Sequence, residues 1–351
     1  MKNIFKIIFV IIGTLIGAGF ASGQEMYIFF LSYGVKGIIG IFISSVLMGI
    51  VIYKTLKIID KYNITNYKDF INIIINHKFT KKYFNINNIF NIIINLFILI
   101  TFFIMIAGFG AYFNQVIKIN SFIGSAILAS LCFIIFLGSV KRFVKINEIL
   151  IPILIVFIFI IGIINLDKIA NINLNNINNF ILHEKSNNLF SWIISSILYC
   201  SYNSILLIPV LITLKNYIKN KNQILIISII SIIVIIILSV ILFLNLINID
   251  NNIISNLEMP MVYVANQMGK IINLLYGFVI IASIFTTSIS LGISFLQNFA
   301  KNKKSYTQIA AIMCITSIVM SQFGFSNLVN LLYPIFGYLG LIQILIIINN
   351  K

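Results

Sequence analysis

Ile16-Gly17-Ala18-Gly19-Phe20-Ala21-Ser22-Gly23-Gln24-Glu25 is the stretch whose reading decides the fold. It sits inside an apolar run from about residue 5 to 33, long enough to cross a bilayer, which takes roughly 20 apolar residues. Its three glycines weaken a continuous helix, because each costs about 1 kcal/mol against alanine. A carboxylate follows at Glu25, where an ionised group costs about 3 kcal/mol or more near the bilayer centre. Weak helix formers next to a buried acid predict a spanning helix broken at mid-depth. Unwound backbone at that depth is tolerated only inside protein or beside a water-filled cavity. Residues 17–25 therefore read as one wall of a central binding site. Two plainer readings compete. The glycines could let a second helix pack close, or Lys2, Lys6 and Ala21-Ser22-Gly23 could belong to a cleaved signal segment. The whole-chain layout works best with this helix kept.

Working outward, the chain of 351 residues is 60% hydrophobic and only 9% charged, the composition of a polytopic helical membrane protein. Apolar runs fall at about 5–33, 36–56, 88–116, 121–139, 147–166, 189–214, 223–247, 271–299, 306–323 and 325–348, which predicts ten spans. The net charge of +16 lies between these runs and not in one patch, so the expected partner is a lipid bilayer and not nucleic acid. Alternate loops carry 19 of the 24 Lys and Arg, among them Lys54, Lys78, Lys141, Arg142, Lys219 and Lys304. By the positive-inside rule both termini are cytoplasmic, in a bacterial cytoplasmic membrane. The reading leaves oligomeric state open. Cys132, Cys200 and Cys314 lie in apolar runs without metal or disulfide spacing, and His77 and His183 stand alone in loops.

The ten runs divide into five plus five. Segment centres in the two halves differ by about 180–190 residues for each pair. An odd number of spans per half makes the second half enter the membrane from the other side. The expected units are 1–166, an external connection at 167–188, and 189–351. The break near residue 20 has a counterpart in the sixth run, Tyr199-Cys200-Ser201-Tyr202-Asn203-Ser204 with Pro209 beyond it. Interrupted spans at matching positions of inverted halves point to a transporter site. Candidate binding residues are thus Gly17, Ala18, Gly19, Phe20, Ala21, Ser22, Gly23 and Glu25, with Tyr199, Ser201, Tyr202 and Asn203. Gly108, Gly110, Tyr112 and Asn114 of the third span are candidates for the opposite wall, or packing contacts.

Half-helix ends serve ligands in two ways: N–H groups suit an anion, and free carbonyls suit a cation. In the eighth run, Ser283, Thr286 and Thr287 share a helix face. Two hydroxyls with carbonyls from the broken first span would suit Na⁺; alternatively each hydroxyl bonds the carbonyl one turn back. Glu25 has three readings: a proton-coupling carboxylate, a partner for a substrate ammonium, or a cap on the outer half-helix. Residues 67–75 predict an amphipathic helix in a cytoplasmic loop, and Met259 to Met268 predict a short external helix starting near Pro260. That second helix reads either as a plug over the outer vestibule or as an ordinary surface helix.

Gly13-Thr14-Leu15-Ile16-Gly17-Ala18-Gly19-Phe20-Ala21-Ser22-Gly23-Gln24-Glu25 resembles the opening of the YkvI-like bacterial membrane proteins, within the amino acid–polyamine–organocation superfamily. The resemblance implies an all-α fold of the LeuT type, a 5+5 inverted repeat with helices 1 and 6 broken. It also implies a Na⁺ site formed by carbonyls around Leu15 to Ala18 with Ser283, Thr286 and Thr287. The aromatic-rich first-span motif of neurotransmitter-type symporters is missing. The expectation is a secondary transporter of a small amino acid or related zwitterion, with Na⁺, or H⁺ through Glu25, as coupling ion and no other cofactor. A non-transporting receptor on the same fold is the rival. No GxxxxGK[S/T] loop occurs, and no span carries paired carboxylates or a nucleophile–base pair, so no enzyme is expected.

Overall fold

The computed structural model describes residues 2–65, 67–76, 86–138, 144–165, 190–218, 220–300 and 302–349. The expected connection at 167–188 lies outside the described residues, as do His77 and His183.

Helices occupy every apolar run. The first run is divided into α1 (Lys2–Leu15), α2 (Ala18–Ala21) and α3 (Gln24–Phe29). Then come α4 (Val35–Tyr62), α5 (Tyr67–Asn76), α6 (Ile86–Tyr112), α7 (Ser121–Leu137) and α8 (Val144–Ile164). The later part holds α9 (Ser191–Thr213), α10 (Lys221–Leu246), α11 (Asn251–Ile254), α12 (Pro260–Gln267), α13 (Lys270–Phe299), α14 (Lys303–Ser321) and α15 (Phe325–Ile348). Among the described residues, six helices are long and apolar enough to cross a membrane: those of α4, α6, α9, α10, α13 and α15.

Local chemistry sets the ends. Asn120 and Asn302 cap α7 and α14, their side chains accepting from Phe122 N and Ser305 N at 2.9 and 2.8 Å. Pro260 occupies the first turn of α12, where its missing N–H is no loss. A left-handed glycine, Gly324 at φ +84°, sets the approach to α15.

Two packed groups emerge. In one, α6 lies against α7, α13 and α14, and α14 also packs on α7. In the other, α9 lies between α4 and α15, and α10 packs on α4 and α1. The broken segment runs between them, with α2 against α13 and α3 against α9, α10 and α15. The two short helices predicted in loops are present as α5 and α12. The amphipathic α5 buries Phe70, Ile71 and Ile74, and Tyr67 is held there by a 2.7 Å bond from Gln343 Nε2. Burial pushes the Tyr67 phenol well up, and that hydrogen bond opposes it.

One expected feature is corrected. The sixth apolar run is not broken: α9 is continuous through Tyr199–Ser204 and carries Pro209 inside it. The polar side chains satisfy their own helix. Ser201 Oγ donates to Ile197 O at 2.7 Å, Ser204 Oγ to Cys200 O at 2.7 Å, and Asn203 Nδ2 to Tyr199 O at 3.0 Å. Back-bonding of this kind meets the polar need of a membrane helix without unwinding it.

Candidate functional site

The first break follows Leu15. Gly17 is extended (φ −84°, ψ −174°), which ends α1 before α2 begins. Ending a helix leaves the last four carbonyls without their usual donors, here Gly13 to Ile16. The second break is Ser22-Gly23, with Gly23 left-handed at φ +83°. Around it the chain is held from three sides. Tyr276 Oη donates to Ala21 O at 2.6 Å, Met261 N donates to Ser22 O at 2.8 Å, and Gln24 Nε2 donates to Ser326 Oγ. The short helix α12 therefore rests by its first turn on the break.

Glu25 is buried at 4% exposure in the first turn of α3. It folds back over α2: a Cβ on Gly19 would lie 2.3 Å from Glu25 Oε1. Gly19 is glycine to make room for the acid. From α9, the phenols of Tyr199 and Tyr202 approach the carboxyl, within a packed group of rings that includes Phe29 and Tyr333. Tyr202 stacks on Tyr333 at 4.6 Å and on Phe29 at 5.5 Å between centroids. Gln24 Oε1, Glu25 Oε2 and the Tyr202 hydroxyl are buried without a hydrogen bond of good geometry among the described residues, although the Tyr202 phenol faces the Glu25 carboxyl. Each such atom costs about 1–3 kcal/mol.

Tyr199 also borders a small cavity of about 10 Å³, room for about one water. Leu15, Ile16 and Phe20 line it with Tyr199, Asn203, Ser44, Ser45, Met48 and Ile235. The structure thus brings the break together with Tyr199, Tyr202 and Asn203. Ser201 instead lies against α15, where a Cβ on Gly340 would come within 2.3 Å of Ser201 O. In α13 the Thr286 hydroxyl donates to Ala282 O and Ser283 O at 3.0 and 3.2 Å, and Ser283 is buried while Thr287 is half-buried. The third-span glycines are packing contacts: a Cβ on Gly110 would lie 2.3 Å from Ser125 Oγ and 2.5 Å from Ser121 O, and one on Gly108 would meet Phe325. Tyr333 and the Ser44-Ser45 pair were not anticipated, and Gln24 was read only as part of the 17–25 wall. The adjacent serines in an otherwise apolar fourth helix were the one signal for that wall.

Beyond the break, Glu258 ties the α11–α12 loop to α15. Its Oε2 accepts from Ser326 N at 2.6 Å. Burial pushes this carboxyl up, against the backbone N–H groups of Ser326 and Phe325. Gln115 pairs both ways with Met259, donating to its carbonyl and accepting from its N–H, each at 2.9 Å.

With this geometry in hand, the likeness to known proteins is informative. No protein-family model matches the chain. The chain is similar to two uncharacterised Bacillus subtilis proteins. The membrane protein YkvI is 28% identical over 346 residues, covering 96% of this chain and 92% of that one. YyaD is 25% identical over 339 residues, covering 96% and 93%. Among solved structures, a mutant manganese transporter of Eremococcus coleocola superposes with a TM-score of 0.57 at 14% identity, covering 97% of this chain and 77% of that one. At that identity the likeness establishes a shared fold. The chain is accordingly a helical membrane protein with YkvI-like homologues and the fold of a transporter.

Proposed function

We propose that this protein is a secondary transporter that moves a small organic solute across the bacterial cytoplasmic membrane by alternating access. The observation that carries the reading is the buried polar cluster at the break of the first span, where Gln24 Oε1, Glu25 Oε2 and the Tyr202 hydroxyl make no hydrogen bond of good geometry. A folded chain leaves such atoms without partners where a ligand completes them. The donor set is one carboxyl, phenols, an amide oxygen and helix-end carbonyls. It suits a solute carrying an ammonium group, such as a small amino acid, with the ammonium at Glu25. The division into an α6, α7, α13, α14 group and an α4, α9, α10 group, with the broken segment between, supports rocking of one group against the other. Ten spans in a 5+5 inverted arrangement with both termini inside belong to this reading.

Na⁺ is the proposed coupling ion. The carbonyls ending α1 offer oxygens, and a hydroxyl that donates to its own helix, as Thr286 does, keeps lone pairs for a cation. Manganese, the cargo named for the structural neighbour, is less suited. Among the described residues no group of three His, Cys, Asp or Glu is placed to hold a metal, and Mn²⁺ favours several hard or imidazole ligands. One observation favours a second coupling mode: Glu25 is a lone buried carboxyl with an unpartnered oxygen, a group able to carry a proton.

The test is thermal stability of the purified protein in NaCl against KCl at equal ionic strength, followed by amino acids and amines, then uptake in proteoliposomes. Na⁺ at about 100 times its dissociation constant adds about 2.7 kcal/mol. The Na⁺ reading predicts that gain in wild type and its loss in Thr286→Ala/Thr287→Ala. No Na⁺-specific gain, with uptake driven by a pH gradient and abolished in Glu25→Gln, replaces Na⁺ by H⁺. Ligand binding with no flux under either gradient overturns transport and leaves a receptor.

A further inference from the structure

A second cavity, of about 290 Å³, lies on the rim that the charge pattern assigns to the outside. Its lining includes Asn114 after α6, Ser121 at the head of α7, Ser321 and Gln322 at the end of α14, Asn327 in α15, and Glu258. The amide groups here are oriented by chemistry. Asn114 Nδ2 donates to Ile119 O at 3.5 Å, Gln322 Nε2 to Ile318 O at 3.3 Å, and Asn327 Nδ2 to Phe323 O at 2.9 Å. Each of these partners is a carbonyl, so each amide presents its NH₂ end to it, and Gln322 Nε2 spends its second N–H on Ser321 Oγ at 3.1 Å. The three amide oxygens remain, with a second N–H on Asn114 and on Asn327. The hydroxyl of Ser321 donates to Ile318 O at 2.7 Å and accepts from Gln322 Nε2 at 3.1 Å, which leaves one lone pair. Glu258 adds a full negative charge. Its Oε2 is taken by Ser326 N, the Phe325 N–H also bonds the carboxyl, and Oε1 lies beside Gly324, where a Cβ would come within 2.9 Å of it. The partial positive charge at the head of α15, worth about half an elementary charge, offsets only part of this.

A cavity lined by amide and hydroxyl oxygens with one carboxylate suits a hard cation. We propose that this rim cavity binds a hydrated divalent cation of the Ca²⁺ class through Glu258, Asn114, Gln322 and Asn327. One carboxylate among neutral oxygens gives weak binding, in the roughly millimolar range of extracellular calcium modules. The volume leaves the ion several of its waters. The bound ion joins α14, the head of α15 and the α11–α12 loop. Those are the elements that hold the break from outside through Gln24 and Ser326, and through Met261 and Ser22. This site is separate from Glu25 and does not depend on the transport reading.

The experiment is isothermal titration with CaCl₂, together with melting of the full-length protein in 10 mM CaCl₂ against KCl at matched ionic strength. About ten times a millimolar dissociation constant should raise the unfolding temperature by about 2 °C. The titration should show one Ca²⁺ per chain. Glu258→Gln should abolish the response. Asn327→Ala, which leaves the Glu258–Ser326 tie in place, should weaken it several-fold without lowering the melting point in KCl. Glu25→Gln should retain it. Equal melting in the two salts overturns the site. So does a Ca²⁺ response that survives Glu258→Gln or Asn327→Ala unchanged, or one that is lost in Glu25→Gln.

Discussion

The first and sixth apolar runs look alike in the sequence and differ in the fold. Each carries small and polar residues at mid-run. The first is broken twice, at Gly17 and at Gly23. The sixth, with Ser201, Asn203 and Ser204, is one helix from Ser191 to Thr213. The difference is what each residue type does for backbone it disturbs. Glycine offers the chain conformations that other residues avoid and gives nothing back. Serine and asparagine carry a donor that returns to the carbonyl one turn behind, so the helix survives their polarity. A polar cluster in a membrane helix is therefore a poor sign of unwinding unless glycine accompanies it.

Substitutions can break or sharpen that contrast. The largest effect is expected from Gly23→Ala. It forces a side chain into φ +83° and places a Cβ 2.7 Å from Met261 Cγ. Strain and overpacking together should cost about 3 kcal/mol, read by thermal or chemical melting. A neutral result would mean that the second break is not held by the left-handed turn. Next comes Gly19→Ala, whose Cβ would lie 2.3 Å from Glu25 Oε1. A cost of about 2 kcal/mol is expected. In a double-mutant cycle with Glu25→Ala that cost should largely vanish, because the two side chains compete for one space. Additive losses would place the clash elsewhere.

In the sixth run the effects should be smaller. Ser204→Ala removes a bond that only returns to Cys200 O, so about 1 kcal/mol or less is at stake, with helix content by circular dichroism unchanged. Loss of helicity would show that the serine holds α9 together after all. The smallest change is expected from Gly17→Ala. Its φ of −84° suits alanine and a Cβ meets nothing within 4 Å. Stability should move by under about 1 kcal/mol, upward if the unfolded chain is stiffened. A large loss would reveal that the first break needs glycine for reasons beyond backbone angle.

Much of the architecture was legible because apolar run length is a bilayer requirement, and each of the ten runs carries a helix. The short helices at 67–76 and 260–267 were legible from amphipathic spacing and from Pro260. Part of the site was legible too. Gly17, Gly23 and Glu25 announce a break because glycine and a buried acid are both costly in a plain membrane helix. The continuity of α9 was not legible, since Ser201, Asn203 and Ser204 have the same composition whether their donors turn to solvent, to a ligand or to Ile197, Tyr199 and Cys200.

The sequence by itself determined an all-helical membrane chain, the position of the first break and the one deep carboxylate, because these follow from hydrophobicity, glycine and charge along a single strand of residues. Only the tertiary structure decided who faces them. Glu25 lies over Gly19 and under the phenols of Tyr199 and Tyr202, about 175 residues away in the chain, and Gln24 reaches Ser326 in the last helix. Which polar atoms find partners, and which do not, depends on how helices distant in sequence pack side by side. No local pattern carries that information.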